Sequence, residues 1–231
     1  MKLQYLGDTH DFLKYYLLRQ LSAVTGQIGV IWMLTPNDQS NDGKVNLHLQ
    51  KPEKYQALDP KLYTKLEDIY KGKDHLQIGY LDAIGLIPKA RYYERIVPEP
   101  GVGSREAFWQ GAQSVIQGSG LMFLDPDNGM EIPSTSKNSV KSVRYVYFDE
   151  IARLLDLAPV LIYQHFPREE RSAYIQKRIK ELKEKAGAEE VRVVQTKGVG
   201  FFLASKTNLN QFDAVLEKLA DSLAEVGVRV V

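Results

Sequence analysis

Apolar residues recur at helical spacing near the start of the chain and then give way to a continuous apolar run. The residues at helical spacing are Phe12, Tyr15, Tyr16, Leu18 and Leu21. They predict an amphipathic helix over residues 9–24, which Asp8 or Thr9 would cap. The run QIGVIWMLTP that follows is rich in β-branched and aromatic residues and stops at a proline. This pattern is typical of a strand that is buried on both faces of a sheet.

Helical and extended patterns alternate along the rest of the chain. The further predicted helices are DPKLYTKLEDIYKG, REAFWQGAQSVIQG behind a Ser104 cap, VYFDEIARLLDL, REERSAYIQKRIKELKEKAG ending at Gly187, and NQFDAVLEKLADSLAEVG. The further predicted strands are HLQIGYLDA, ARYYERIV, GLMFL, APVLIYQHF, EEVRVVQTKG, VGFFLASKT and VRVV. We therefore expect a Rossmann-like α/β fold in three layers, whose sheet is mostly parallel with an antiparallel hairpin near the C-terminus.

The stretch at about 37–75 breaks this rhythm. It holds a polar turn, the short alternating segment VNLHLQ and one of the predicted helices. We interpret residues 1–231 as a single Rossmann-like domain with an elaboration at this place.

Composition narrows the classes of protein that fit. Hydrophobic residues make up 44% and charged residues 26% of the 231 residues, which is typical of a globular chain and excludes a disordered one. The absence of cysteine excludes disulfides, thiolate zinc sites and cysteine nucleophiles. A net charge of +1 means that a nucleic-acid partner would need a local basic patch. Polar residues at 7–11 interrupt any signal peptide, so we expect a cytoplasmic protein without a membrane partner.

Three predicted strands end in polar residues, in the segments LTPNDQ, LDPDNG and YQHFPR. Ligands of open α/β sheets bind beyond such strand ends, so we expect the three segments to converge on one crevice. Pro126 restricts Asp125 to extended geometry at the sheet edge, and this makes Asp125, Asp127 and Asn128 candidate catalytic residues. The alternative is a plain turn, because these residue types are favoured in turns for conformational reasons alone.

His165 and two arginines follow the third of these strands. The imidazole of His165 titrates near neutrality and is a candidate general acid or base, although a histidine at a strand end can also serve only as a hydrogen-bonding residue. Arg168 and Arg171 are expected to open the next helix and to contact a phosphate. The alternative for both arginines is ordinary solvation.

The N-terminal segment GDTHDFLKYYLLR is denser in polar groups than a helix start requires. Asp8 and Asp11 bracket His10, and Lys14 lies three residues beyond Asp11 on the same helical face. One interpretation is a second half of the active site, with Lys14 as a fixed cation beside a ligand. The other is an N-terminal cap with an Asp11–Lys14 ion pair.

Taken together, these segments resemble the Rossmann-type adenine-N6 methyltransferases, and most of all those that act on large-subunit ribosomal RNA. The matching segments are HDFLKYYLL for an Asp-x-x-Lys helix, LMFLDPDNG for an Asp-Pro-Pro-Tyr strand end, LIYQHF for a Trp-Tyr-Pro strand end, and GVGFFLASKTNLNQFDAVLEKL for a hairpin strand and final helix. The resemblance implies S-adenosylmethionine as cofactor, with Asp8, His10, Asp11 and Lys14 beside it. It also implies that Asp125 accepts a hydrogen bond from the target amine and that Tyr163 contacts a nucleic-acid or nucleotide substrate.

Two departures from that family leave other functions open. The loop after the first strand has one glycine, Gly43, where the family has a glycine-rich loop, and Asp127 and Asn128 replace the Pro-Tyr whose aromatic ring stacks on the flipped adenine. Asp125 and Asp127 could instead hold Mg²⁺ or Mn²⁺ in a nuclease or phosphoesterase. Their Asp-x-Asp pattern also resembles haloacid-dehalogenase-type phosphatases. A third alternative is a non-catalytic module that binds a nucleotide.

Overall fold

The alternating sequence patterns form alternating helices and strands in the computed structural model, which describes residues 6–36, 46–72 and 84–231. The helices are α1 Thr9–Thr25, α2 Leu47–Gln50, α3 Pro52–Leu58, α4 Pro60–Gly72, α5 Arg105–Ile116, α6 Phe148–Leu155, α7 Arg171–Ala186 and α8 Asn210–Leu223. The strands are β1 Ile28–Ile31, β2 Ala90–Tyr93, β3 Leu121–Leu124, β4 Gly129–Met130, β5 Tyr145–Val146, β6 Val160–His165, β7 Glu190–Gln195, β8 Val199–Ser205 and β9 Arg229–Val230. Short 3₁₀ helices cover Val140–Arg144 and Ala224–Val226.

Seven of the strands form one sheet in the order β2-β1-β3-β6-β8-β7-β9. Strands β2, β1, β3 and β6 are parallel neighbours. Strand β8 pairs antiparallel with both β6 and β7, and β9 pairs antiparallel with β7. The prediction of a mostly parallel α/β sheet with an antiparallel C-terminal hairpin is therefore confirmed.

Helices cover both faces of this sheet. One apolar core joins α1, α4 and α8 to one face, and a second core joins α5, α6 and α7 to the other. Successive side chains of β8 point to opposite faces of the sheet, so Phe201 packs in the first core and Phe202 in the second. The three-layer arrangement is thus confirmed. No helix of the described residues combines the length and the apolar character that crossing a bilayer requires.

Some elements differ from their prediction. The VNLHLQ segment, which alternates in the sequence, contributes to the short helix α2. Helix α7 begins at Arg171, because the Glu170 carboxylate caps it by accepting hydrogen bonds from the backbone N–H groups of Ser172 and Ala173 at 2.9 and 2.6 Å. The expectation that Arg168 opens this helix is therefore wrong. The predicted strand HLQIGYLDA lies outside the described residues.

His48 attaches helices α2, α3 and α4 to α1. Its side chain is fully buried, and its Nδ1 lies 3.2 Å from the Thr9 hydroxyl. Four aromatic rings surround the imidazole, those of Phe12, Tyr55, Tyr63 and Tyr70. Burial lowers the pKa of His48 below its usual 6.5, so the imidazole is neutral at neutral pH among these aromatic rings.

We expect the His48→Phe variant to be less sensitive to acid than the parent. Below pH 6.5 the unfolded chain binds a proton at His48 that the folded chain resists, so this residue lowers stability as the pH falls. The measurement is urea unfolding at about pH 7.5 and about pH 5.5 for both proteins. Equal losses of stability on acidification would contradict the assignment.

Candidate functional site

The order of strands reverses between β1 and β3. The chain passes from β1 to β2 on one side, while β3 and then β6 lie on the other side. The carboxyl ends of β1 and β3 are in register, with Ile31 opposite Leu124. Such a switch point is where open α/β sheets bind ligands, because the connections diverge there and leave a crevice.

A buried ion group lies at this switch point. The Lys14 ammonium donates hydrogen bonds to Asp11 Oδ1 at 2.7 Å and to Asp125 Oδ2 at 2.8 Å. The side chains of Lys14, Asp11 and Asp125 are only 4%, 5% and 3% exposed. Burial by itself would lower the pKa of Lys14, but attraction to the two carboxylates outweighs burial and raises it. Lys14 therefore stays charged and ties the start of α1 to the end of β3.

Asp8 and Asp11 hold the turn before α1. Asp8 Oδ1 accepts a hydrogen bond from the Asp11 N–H, and Asp11 Oδ2 accepts one from the Gly7 N–H, each at 2.9 Å. This confirms both the predicted cap and the predicted Asp11–Lys14 pair. The structure also shows that Lys14 binds Asp125. A helix cap does not require this second contact.

The site carries an excess of negative charge. Two buried carboxylates, those of Asp11 and Asp125, pair with the ammonium of Lys14, and a third, that of Asp8, is bound to the Asp11 backbone. Burial raises the pKa of Asp11 to about 6; attraction to Lys14 opposes this rise, and the charges of Asp8 and Asp125 add to it. A cationic ligand at this place would relieve the repulsion among the carboxylates.

Aromatic rings surround the Lys14 ammonium. Its nitrogen lies 5.0 Å from the ring centroid of Tyr163, 5.8 Å from that of Trp32 and 5.9 Å from that of Tyr15. The Tyr15 hydroxyl is buried without a hydrogen-bond partner among the described residues, and burial raises the pKa of Tyr15 well above 10. Aromatic faces attract cations, so the rings reinforce the preference for positive charge.

The loop after β3 is fixed by the neighbouring strand. The buried amide of Gln164 accepts a hydrogen bond from the Met130 N–H and donates one to the Asn128 carbonyl, each at 2.9 Å. Gly129 has a φ of 108°, and a Cβ at this position would lie 2.4 Å from the Gln164 amide. Only glycine fits this contact, so the loop and the Gln164 side chain determine each other's positions.

Asp127 joins this loop to the segment after β1. The Thr35 hydroxyl donates a hydrogen bond to Asp127 Oδ2 at 2.6 Å. The ends of β1, β3 and β6 thus approach one another, as predicted for LTPNDQ, LDPDNG and YQHFPR. The part of LTPNDQ beyond residue 36 lies outside the described residues.

A more exposed outer rim surrounds the ion group, and it consists of His10, Asp127, Asn128 and His165. His10 Nδ1 lies 3.7 Å from Asp8 Oδ2, and the His165 ring stands edge-on to that of Tyr163 at 5.1 Å between centroids. Partial burial, and then the neighbouring His10, lower the pKa of His165, which keeps the imidazole able to accept a proton at neutral pH.

The predicted site residues fall into three groups. Asp8, His10, Asp11, Lys14, Asp125, Tyr163 and His165 lie together at the switch point. Asp127 and Asn128 lie on the anchored loop beside them. Arg168 is an exposed loop residue, and Arg171 packs its guanidinium over the Phe166 ring at 3.7 Å.

The carboxylates of Asp125 and Asp127 bind different partners. Asp125 is paired with Lys14, and Asp127 with Thr35. Across residues 6–36, 46–72 and 84–231, no three His, Asp or Glu side chains are arranged to hold a metal ion.

Sequence reasoning missed Gln164, Tyr15 and Trp32 as site residues. Of these three residues, only Gln164 could have been identified from the sequence, because it is a polar residue inside an otherwise apolar strand. Tyr15 and Trp32 look like ordinary core residues, and only the position of Lys14 gives their rings a role.

Comparison of the chain with protein-family models, with curated proteins and with solved structures gave no match.

Proposed function

We propose that this chain is an S-adenosylmethionine-dependent methyltransferase that acts on an amino group of a nucleic-acid base or nucleotide. The observation that carries the proposal is the ion group at the switch point, where buried Lys14 holds Asp125 amid an excess of carboxylate charge. The proposal also draws on the order of segments that this chain shares with the adenine-N6 methyltransferases.

The site suits a cationic cofactor. S-adenosylmethionine carries a positive sulfonium, and the carboxylates of Asp8 and Asp11 with the rings of Trp32 and Tyr163 would hold such a charge. The buried Tyr15 hydroxyl, which lacks a partner among the described residues, is a hydrogen-bonding group for the same ligand. When bound, the cofactor supplies an electrophilic methyl group.

Asp125 would position the amine that is methylated. An ionised carboxylate has about four lone-pair sites, so Asp125 can accept an N–H of the target amine as well as the hydrogen bond from Lys14. Accepting that N–H fixes the direction of the nitrogen lone pair, which is catalysis by orientation. The proton that the amine loses can pass to His165 on the rim, whose lowered pKa leaves it unprotonated at neutral pH.

Substrate recognition would differ from that of the resembled family. Asp127 and Asn128 offer hydrogen-bonding groups where that family has a stacking aromatic ring. We therefore propose that the polar edge of the base, rather than its face, is read at this loop.

Calorimetric titration tests cofactor binding and its pH dependence. Because Asp11 has a pKa of about 6 and a bound cation favours its ionised form, S-adenosylmethionine should bind up to roughly tenfold more weakly at about pH 5 than at about pH 7. S-adenosylhomocysteine lacks the sulfonium charge and should show a smaller change. The Asp11→Asn variant, verified as folded by circular dichroism, should flatten the profile.

Absence of binding by both ligands would refute the proposal. Hydrolysis of phosphodiesters that requires Mg²⁺ or Mn²⁺ and is lost in Asp125→Ala and Asp127→Ala would replace methyl transfer by the nuclease alternative. The geometry speaks against that outcome, since Lys14 already neutralises the Asp125 carboxylate. Nucleotide binding without turnover would indicate a non-catalytic module.

A further inference from the structure

A cationic cleft of about 510 Å³ lies between the start of α7, the end of β7 and strand β9. The side chains that give it its charge are Arg171, Lys197, Arg229 and Glu170. The Glu170 carboxylate is already engaged, since it accepts hydrogen bonds from the N–H groups of Ser172 and Ala173. Three cationic side chains therefore line the cleft against one carboxylate side chain, whose two oxygens both bind the backbone of α7.

The Arg171 guanidinium is fixed in position and has one donor that an anion could bind. Its guanidinium lies over the Phe166 ring at 3.7 Å, and its Nη2 donates a hydrogen bond to the Lys197 carbonyl at 2.9 Å. Its Nη1 is buried and has no hydrogen-bond partner among the described residues. A buried donor without a partner is costly, and an anionic oxygen in the cleft would satisfy it.

The cleft adjoins the outer rim of the switch-point site. The turn at 196–198 lines the cleft through Thr196 and Lys197 and reaches the rim through Gly198. A Cβ added to Gly198 would lie 3.4 Å from His10 Nε2. The Gly198 carbonyl also accepts a hydrogen bond from the Phe166 N–H, directly after His165. A ligand that fills the cleft can therefore extend to His10 and His165.

We propose that this cleft binds the phosphodiester backbone of a nucleic-acid strand whose base enters the switch-point site, an inference that rests on the proposed function. The cleft recognises charge rather than a base. Three of its lining side chains are cationic, and none of the described residues that line it is aromatic. Phosphate oxygens are the groups that arginine and lysine in such an arrangement bind best.

Fluorescence anisotropy with a short, labelled single-stranded RNA, and with DNA of the same sequence, tests the cleft in the full chain. Arg171→Gln should weaken binding by roughly fivefold to tenfold. Lys197→Gln and Arg229→Gln, at exposed positions, should each reduce the slope of log affinity against log salt by about 0.7. The matched control Lys183→Gln removes an exposed charge from α7 outside the cleft and should leave both quantities unchanged.

The outcomes separate this inference from the proposed function. If neither strand binds, or if the cleft variants behave like Lys183→Gln, the cleft is not a backbone site, whatever the cofactor result. Pyrophosphate binding to the chain can be measured in the same variants. If the cleft substitutions weaken pyrophosphate binding but leave the affinity for both strands unchanged, the cleft binds a free phosphate compound and the proposal is overturned. Retained S-adenosylmethionine binding in the variants would show that the switch-point site is intact.

Discussion

Replacing Lys14 with methionine is expected to destabilise the folded chain by about 3–5 kcal/mol. The substitution leaves the carboxylates of Asp11 and Asp125 buried without their shared cation, and an uncompensated buried charge is far more costly than a lost surface ion pair. Urea unfolding at neutral pH gives the measurement. Lys183→Met, which removes an exposed lysine from α7, is the matched control and should change stability by less than about 0.5 kcal/mol.

A rescue separates charge from packing. In a chain with Lys14→Met, Asp11→Asn and Asp125→Asn together, the ammonium and both of its carboxylate partners are removed, so most of the lost stability should return. A Lys14→Met variant as stable as Lys183→Met would show that the ammonium does not hold this part of the fold together.

Replacing Gly129 with alanine is expected to cost roughly 3 kcal/mol or more, because the new methyl group strains a positive φ and also overlaps the Gln164 amide. Gly118 provides the matched control. It has a φ of 79°, but nothing lies within 4 Å of the position of its Cβ. Gly118→Ala should therefore cost only about 1 kcal/mol, and the difference measures the contact with Gln164.

The Gly129→Ala/Gln164→Ala double variant tests the contact directly. Truncating Gln164 removes the atoms that the methyl group meets, so the two substitutions together should cost less than the sum of their separate effects. Thermal unfolding of the four chains suffices. If Gly129→Ala costs no more than Gly118→Ala, the loop moves away from Gln164 with little loss of stability, and the Gly129–Gln164 contact does not fix the loop.

Much of the architecture is local enough to be predicted from the sequence. The Asp8 cap, the Asp11–Lys14 pair and the end of α7 at Gly187 all depend on residues within one helical turn. The antiparallel hairpin follows from two apolar runs separated by a short Lys-Gly turn. These features require no knowledge of which elements become neighbours.

The contacts that define the site were not predictable in the same way. Lys14 and Asp125 are 111 residues apart in the chain, and no spacing rule indicates that their elements meet. The same holds for Thr35 with Asp127 and for Gln164 with the loop after β3. At Arg168 a local pattern gave a wrong prediction. The charged run indicated a helix start at Arg168, but the helix begins at Arg171, after the Glu170 cap.

The position of α1 has a consequence for how the chain folds. Its apolar face packs in one core with residues of α8, and its Lys14 needs Asp125 from β3. During synthesis, α1 therefore leaves the ribosome long before its partners. Until they follow, its apolar face stays exposed and Lys14 lacks its contact with Asp125. Contacts of such sequence separation slow folding and leave apolar surface exposed in intermediates. The apolar face of α1 is accordingly covered in full only after α8 has left the ribosome.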